Sequence, residues 1–178
     1  MLEWMSERYN HPICLKAARA IDFGVSEALR KGLSIPDFGG KTEYLRKVAF
    51  SGADVVGHNI ETIERLYPEI RPMADFKVSL SVLNKLKELN PSLITKSGFM
   101  VGLGETSDEV KELLYLLYES NVDSITIGQY FQPSKNNLPV KKYVTDNEFK
   151  LYENWAKQLG FKYVLSGRYV RSSSLEIT

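Results

Sequence analysis

The feature that most constrains the fold is an alternation of short apolar runs with amphipathic helical patterns, which begins near Gly32 and repeats along the chain. Short apolar runs bounded by turn residues indicate β-strands, and apolar residues at helical spacing indicate helices. This alternation is typical of βαβ units, in which helices cover a parallel sheet. We therefore predict an α/β fold with strands over residues 33–36, 54–58, 93–101, 124–130 and 162–165.

Two helices have recognisable start signals. Thr106 and Glu109 have the spacing of a capping box, in which both side chains bond free N–H groups at the start of a helix. Thr145 and Glu148 repeat this spacing, and Gly160 stands where a left-handed residue would end the second helix. The apolar residues that follow are Val110, Leu113, Leu114 and Leu117 in the first helix, and Phe149, Tyr152, Trp155 and Leu159 in the second.

Three further helical segments are predicted nearer the start of the sheet. One begins near Thr42, a short turn over 61–67 is ended by Pro68, and a longer helix covers 75–89. The longer helix is ended by Asn90-Pro91, because a residue before proline avoids the helical conformation. The buried residues of the first of these helices are predicted to be Leu45, Val48 and Ala49.

Residues 1–31 differ from the rest of the chain. Leu15, Ala18, Ile21 and Leu29 indicate a helix there, but no strand precedes it, although an α/β unit begins with a strand. We therefore expect two parts, an N-terminal helical segment over 1–31 and an α/β domain over 32–178 that begins in the middle of a fold.

Length and composition restrict the class of protein. A chain of 178 residues has the size of one domain, and its net charge of +1 favours neither a nucleic-acid nor a membrane partner. No apolar run approaches the roughly 20 residues of a transmembrane helix, and the first residues lack a signal-peptide pattern, so a cytoplasmic protein is expected. Cys14 is the only cysteine, which leaves no disulfide framework and no cysteine-based metal site within this sequence.

Glycines and hydrogen-bonding side chains collect where the predicted strands end. In parallel α/β folds these carboxyl ends lie at one edge of the sheet, where ligands bind. The residues are Asn59 and Glu61 after the second strand, Gly102, Gly104 and Glu105 after the third, and Gln129, Tyr130, Gln132 and Ser134 after the fourth. Since a packed core has little use for the last four side chains, we predict a ligand site at this edge.

Most of these residues also have a structural interpretation. The glycines would turn the chain from strand to helix, Asn59 would cap a helix, and Glu61 and Glu105 would complement helix dipoles. Arg71 would either bind a carboxylate ligand or lie exposed on the surface. His58 has no second histidine at a metal-binding spacing and is expected to be structural or a hydrogen-bond donor. The sequence shows no phosphate-binding loop, zinc spacing or catalytic triad.

Short motifs follow one another in a fixed order between about Leu33 and Ser173. They are Pro36-Asp37-Phe38-Gly39-Gly40, His58-Asn59-Ile60-Glu61-Thr62, Arg71-Pro72, Lys96-Ser97-Gly98, Met100-Val101-Gly102-Leu103-Gly104-Glu105-Thr106, Gly128-Gln129-Tyr130, Gln132-Pro133-Ser134, Leu138-Pro139-Val140 and Arg171-Ser172-Ser173. Each motif is weak alone, but in this order and spacing they resemble the lipoyl synthase family.

The resemblance implies a radical S-adenosylmethionine enzyme on a partial (β/α)6 barrel, of which this chain is the C-terminal portion. Such an enzyme carries two [4Fe-4S] clusters. One cluster cleaves S-adenosylmethionine to a 5′-deoxyadenosyl radical, which abstracts hydrogens from C6 and C8 of a protein-bound octanoyl chain. The other cluster is dismantled to supply sulfur, and the partner is an octanoylated lipoyl-domain protein.

The resemblance also implies site residues. Those lining the S-adenosylmethionine and substrate cavity would be Asn59, Glu61, Arg71, Lys96, Ser97, Gly102, Gly104, Glu105, Gln129, Tyr130, Gln132 and Ser134. In the Arg-Ser-Ser segment, either Ser172 or Ser173 would supply a hydroxyl ligand to the auxiliary cluster. A hard oxygen donor among soft thiolates suits a labile cluster.

The cluster cysteines are the main departure from the family. Both of its cysteine triads lie upstream of the Pro-Asp-Phe-Gly-Gly motif, whereas this chain has only Cys14 there. The chain would then be a portion of a lipoyl synthase that acts with a separate polypeptide carrying the triads, a non-catalytic module that binds S-adenosylmethionine or a lipoyl domain, or an inactive remnant. Because a partial barrel leaves a sheet edge uncovered, self-association or a covering partner is expected.

Overall fold

Five parallel strands form one sheet in a computed structural model of the chain, which describes residues 32–173. The strands are β1 (Gly32–Ser34), β2 (Val55–Gly57), β3 (Ile94–Val101), β4 (Ser124–Gln129) and β5 (Tyr163–Gly167). They lie side by side in chain order, and each pairs in parallel with the next. All five predicted strands are confirmed. Within the described residues the sheet stays open, so it has the topology of part of a (β/α) barrel.

The helices lie between consecutive strands. They are α1 (Thr42–Ala49), α2 (Tyr67–Ile70), α3 (Phe76–Leu89), α4 (Ser107–Glu119) and α5 (Asp146–Leu159). Both predicted capping boxes are confirmed, with Thr106 and Thr145 each accepting a hydrogen bond from the amide of the glutamate three residues later. Gly160 ends α5 with φ of 107°, the left-handed conformation expected from sequence.

The prediction that a helical turn over 61–67 is ended by Pro68 was wrong. A 3₁₀ turn begins only at Glu64, and α2 continues from Tyr67 to Ile70. Pro68 lies in the first turn of α2, where its missing N–H would have had no partner inside the helix. Glu61 is therefore not helical, and instead forms an isolated parallel bridge with Phe99 of β3.

The two faces of the sheet differ in chemistry, because successive side chains along a strand point to opposite faces. Phe99, Val101, Ile125 and Ile127 form one buried cluster with the apolar residues of α3, α4 and α5. Toward the carboxyl ends of β3 and β4 the intervening positions are small or uncharged, and Gly98 pairs with Thr126 and Met100 with Gly128. We call this second surface the inner face. The inner face leaves open space beside the backbone, whereas the face toward the helices is filled by apolar side chains.

The predicted helical segment over 1–31 lies outside the described residues, and the division of the chain at residue 31 stays a prediction. Within residues 32–173, no helix combines the length and the apolar character needed to cross a lipid bilayer.

Candidate functional site

A cavity of about 310 Å³ opens on the inner face toward the carboxyl ends of β3 and β4. Its floor comes from residues of these two strands, and its walls come from Glu61, from Phe131 and from the segment 170–172 near the end of the described chain. The lining residues are Glu61, Gly98, Phe99, Met100, Thr126, Gly128, Gln129, Phe131, Val170, Arg171 and Ser172. The predicted edge of the sheet therefore carries a cavity.

Close contacts require glycine at two positions in the floor of the cavity. A Cβ atom on Gly128 would collide with the carbonyl oxygen of Val170, which crosses directly above β4. A Cβ atom on Gly98 would collide with Thr126 Oγ1 and lie 3.3 Å from Asn59 Oδ1. Any larger residue at these positions would fill the cavity or displace its walls, so both glycines keep the floor open.

Glu61 places a carboxylate beside the cavity. Its backbone has φ of 68°, a left-handed conformation that a residue with a Cβ adopts at a cost of about 1 kcal/mol. Two hydrogen bonds hold this conformation, because Glu61 N donates to Gly98 O at 3.0 Å and Met100 N donates to Glu61 O at 2.9 Å. Burial raises the pKa of the carboxyl, although the Asn59 side chain and the charge of Arg71 oppose the rise. The chain thus holds an acid in a strained and partly desolvated position.

Arg71 supports the loop that carries Glu61. Its guanidinium donates to Asn59 O at 2.9 Å and to the Tyr67 hydroxyl at 3.3 Å, and it lies 5.6 Å from the centre of the Tyr67 ring. Arg71 is part-buried and not fully exposed, and it does not line the cavity described above. The loop position excludes the helix-cap interpretation of Asn59 and the helix-dipole interpretation of Glu61, since the next helical residue is Glu64.

Ser97 and His58 also support the loop that carries Glu61. Ser97 Oγ donates to His58 O at 2.9 Å and accepts from Ile60 N at 3.2 Å. The His58 ring bonds Ile35 O through Nδ1 at 3.0 Å and is fully buried. Burial, more than the neighbouring Arg71, lowers the pKa of His58. His58 is structural, as its isolated position in the sequence indicates.

The side chain of Glu105 closes the turn that follows β3. Glu105 accepts hydrogen bonds from Gly102 N at 2.5 Å and Leu103 N at 2.9 Å, while Gly102 and Gly104 have φ of 99° and 108°. A Cβ atom on Gly102 would collide with the Gln129 amide nitrogen and the Lys142 carbonyl oxygen. Both carboxylate oxygens of Glu105 therefore accept hydrogen bonds from the backbone of this turn.

Gln129 fixes the loop that follows β4. Its amide nitrogen donates to the carbonyl oxygens of Val101, Tyr130 and Lys142 at 3.0–3.2 Å. Its amide oxygen accepts from Val144 N at 2.8 Å. All four bonds go to the backbone, so this buried side chain joins the strand to the segment that leads into α5.

The other polar residues after β4 bond within the same loop. The Tyr130 hydroxyl donates to Leu138 O at 2.9 Å, Gln132 Nε2 to Asn137 O at 2.8 Å, and Ser134 Oγ to the Asn137 side chain at 2.7 Å. Gln132 and Ser134 are exposed, and neither lines the cavity described above. Together with Gln129, these three side chains organise the loop through hydrogen bonds that the sequence did not reveal.

Lys96 joins the inner face to the end of the described chain. Its ammonium donates to Ser172 O at 2.8 Å, and burial lowers the pKa of this lysine. Both serines are exposed, but Ser172 lines the cavity and Ser173 does not. Ser172 is thus the serine of the Arg-Ser-Ser segment that borders the cavity, and the assignment of a cluster ligand to either serine stays a prediction.

Of the predicted site residues, Glu61, Gln129 and Ser172 line the cavity, and their contacts with a ligand stay predictions. Cavity residues absent from the predicted set are Gly98, Phe99, Met100, Thr126, Gly128, Phe131, Val170 and Arg171. Gly98, Thr126 and Gly128 carry a signal in the sequence, because small residues on one face of two paired strands mark a face with open space.

No group of three or more histidine, cysteine or acidic residues suited to a metal ion is found in the described part of the chain. Residues 32–173 contain no cysteine, since Cys14 lies upstream of them. The described residues therefore lack the thiolates that a [4Fe-4S] cluster requires and do not fit such a cluster by themselves.

Comparison with known proteins places the chain in a family. Residues 9–117 match the radical SAM superfamily, which is more than half of the chain, so the protein belongs to that superfamily. This match begins inside the segment 1–31, which we expected to differ from the family. Combined with the five-stranded open sheet, it identifies the fold as part of a radical SAM barrel.

Within that superfamily the similarity is to lipoyl synthases, as the motifs predicted. The chain is 54% identical to the lipoyl synthase of Caldicellulosiruptor bescii over 139 residues, 78% of this chain and 48% of the relative. It is 51% identical to the mitochondrial lipoyl synthase of Caenorhabditis elegans over 140 residues, 78% of this chain and 40% of that protein. With the lipoyl synthase of Haemophilus influenzae strain PittGG the identity is 42% over 161 residues, 90% of this chain and 49% of the relative. The chain thus spans about half the length of the curated relatives it matches.

Proposed function

We propose that this chain forms the part of a lipoyl synthase that binds S-adenosylmethionine and receives the octanoyl chain of a lipoyl-domain protein. The observation that carries this proposal is the cavity at the carboxyl ends of β3 and β4, which combines an open glycine floor with the Glu61 carboxylate. We also place the chain in the cytoplasm.

The residues around the cavity fit S-adenosylmethionine. This ligand carries an ammonium, a sulfonium and a carboxylate, and the cavity offers both the Glu61 carboxylate and the Arg171 guanidinium. We assign Glu61 to the cationic groups and Arg171 to the carboxylate, where charge-assisted hydrogen bonds are strongest. Gly98 and Gly128 allow the ligand to approach the backbone. When bound in a complete radical enzyme, S-adenosylmethionine supplies the radical that activates the acyl chain.

The sulfur-insertion step needs iron–sulfur clusters that the described residues do not fit. We therefore propose that the chain alone is inactive and acts with the portion of the enzyme that carries the cluster cysteines, as a separate polypeptide or as part of a longer protein. Anaerobic incubation of this chain with iron and sulfide should give no [4Fe-4S] absorbance. A stable cluster with turnover of an octanoylated lipoyl domain would contradict this.

Isothermal titration with S-adenosylmethionine tests the binding assignment. We expect measurable binding by the wild-type chain and a roughly tenfold weaker affinity in Glu61→Gln, because a charge-assisted hydrogen bond contributes about 1.5–3 kcal/mol. Glu43→Gln is the matched control, since Glu43 is an exposed residue of α1 far from the cavity lining. Absence of heat at millimolar ligand would contradict the proposal.

A second candidate function is a non-catalytic module that holds S-adenosylmethionine or a lipoyl domain without radical chemistry. It is favoured by one observation, the absence of cysteine from residues 32–173. Co-expression with a polypeptide that supplies both cysteine triads distinguishes the two candidate functions. Restored lipoyl formation supports the enzyme portion, and ligand binding without any restoration supports the module.

A further inference from the structure

Three aromatic side chains form an exposed patch at the mouth of the cavity. Phe131, Tyr143 and Tyr169 are 36%, 62% and 77% exposed, although the Phe131 ring contacts both tyrosine rings. The Phe131 ring lies 6.3 Å from that of Tyr169, nearly parallel at 8°, and 6.4 Å from that of Tyr143. Single exposed apolar residues are common on protein surfaces, but a contiguous aromatic cluster marks an interaction site. Because Phe131 also lines the cavity, the patch and the cavity are continuous.

The chain around this patch is strongly basic. The three rings come from the segments 131–143 and 168–173, which contain five lysines and arginines and no aspartate or glutamate, whereas the whole chain has a net charge of only +1. Lys142 pairs with Glu148 at 2.5 Å. Among the described residues, Lys135, Lys141 and Arg168 form no ion pair. These two segments therefore carry three basic side chains that no ion pair neutralises among the described residues.

The geometry of the rings favours a protein partner over a nucleic acid. Single-stranded nucleic acids bind by stacking bases on free aromatic faces. Here the Phe131 ring is stacked against Tyr169, and the Arg171 guanidinium lies 5.4 Å from its centre, so protein groups already occupy stacking positions on this ring. Tyrosine, phenylalanine and arginine are instead enriched in protein interfaces.

We propose that Phe131, Tyr143 and Tyr169, with Lys141 and Arg168, form the docking surface for an acidic protein domain that carries the acyl substrate. This inference rests on the proposed function, because the acyl chain would enter the adjoining cavity. The basic residues steer and orient the acidic domain, and the aromatic residues supply the apolar contact.

Binding of an octanoylated, acidic lipoyl domain to the full chain tests the proposal by titration at low and high salt. We expect the charge-reversal variant Lys141→Glu/Arg168→Glu to bind about tenfold more weakly at about 0.05 M salt, with a smaller difference at about 0.5 M salt, where exposed charges are screened. The variant Tyr143→Ser/Tyr169→Ser should lose affinity at both salt concentrations. The control Lys77→Glu/Lys150→Glu makes the same charge change on exposed residues of α3 and α5 and should stay within about twofold of wild type.

S-adenosylmethionine binding measured on the same samples separates this inference from the proposed function. If wild type and variants bind S-adenosylmethionine but the charge reversal leaves lipoyl-domain affinity unchanged, the docking surface is wrong and the proposed function stands. An equal loss in the control variant, or tighter binding of single-stranded RNA than of the lipoyl domain, also overturns it. If S-adenosylmethionine does not bind while the charge reversal weakens docking, the surface stands and the cofactor assignment fails.

Discussion

Two carboxylates at opposite ends of the sheet, Asp123 and Glu61, have opposite surroundings. Asp123 comes just before β4, at the amino end, and is only 7% exposed. Its oxygens lie 2.6 Å from Lys87 Nζ and 2.7 Å from Lys162 Nζ, and they accept from the amide and hydroxyl of Thr95 at 3.0 and 3.1 Å. Glu61 lies at the carboxyl end beside a cavity, on a strained backbone, and no lysine or arginine forms an ion pair with it among the described residues.

The pKa values of these carboxyls move in opposite directions. Burial alone would raise the pKa of Asp123, but the hydrogen bonds from Lys162 and Lys87 outweigh it, so this pKa lies below its usual value. For Glu61 burial is the larger effect and the pKa is raised. A carboxylate with a full set of partners stabilises the fold, whereas a partly desolvated carboxylate on a strained backbone is a candidate for a functional role.

Replacing Asp123 gives the largest expected effect. Asp123→Asn should lower the free energy of unfolding by about 3 kcal/mol at neutral pH, because Lys87 loses its counter-charge in a part-buried position. Urea unfolding measures this change. Glu43→Gln breaks an exposed ion pair on α1 and should cost less than about 0.5 kcal/mol. Equal losses in the two variants would remove the distinction between structural and exposed carboxylates.

The same variant also tests the direction of the pKa shift. A carboxyl whose pKa is lowered in the folded state contributes stability above its unfolded value of 3.8, and this contribution is lost as the pH falls through the folded pKa. The difference in stability between wild type and Asp123→Asn should therefore shrink below that pH. A difference that grows in acid would show that the pKa is not lowered.

Replacing Gly128 tests the packing at the opposite end. We expect Gly128→Ala to destabilise the fold by about 1–3 kcal/mol and to speed amide exchange over residues 168–173, since the new methyl group meets the Val170 carbonyl oxygen. Gly57→Ala on β2 is the control, because the nearest atom to its added Cβ is 3.7 Å away. Unchanged exchange in Gly128→Ala would show that segment 170–172 does not pack on β4.

The strands and the long helices were predictable because their signals are local. The capping boxes of α4 and α5, and the apolar runs of β3 and β4, each lie within a few consecutive residues. Pro68 was misread because proline has two local uses, and only packing decides between ending a helix and starting one.

The site was less predictable because its contacts join distant residues. The bond from Lys96 to Ser172 spans 76 positions, and the Val170 carbonyl that covers Gly128 arrives from beyond β5. Gln129 is the type of residue that often binds ligands, yet its side-chain amide forms hydrogen bonds with four backbone groups. No local sequence pattern reveals these bonds. A polar side chain after a strand therefore indicates that hydrogen-bond partners are needed there. The sequence alone does not show whether a ligand or the protein provides those partners.

The smallest expected effect, and the sharpest test of the comparison, comes from Glu61. Glu61→Gln should raise the free energy of unfolding at neutral pH by about 0.5–1 kcal/mol while weakening S-adenosylmethionine binding, since a strained functional site gives up stability for activity. The sign follows from the raised pKa. Between the unfolded value of 4.5 and the higher folded value, the folded state binds more protons, so wild-type stability falls as the pH rises through this range. Glu61→Gln should lack that fall, and thermal melts of both proteins across the same pH range measure it. If Glu61→Gln instead lost stability as Asp123→Asn does, the two carboxylates would share one structural role, and the assignment of Glu61 to the ligand would have to be abandoned.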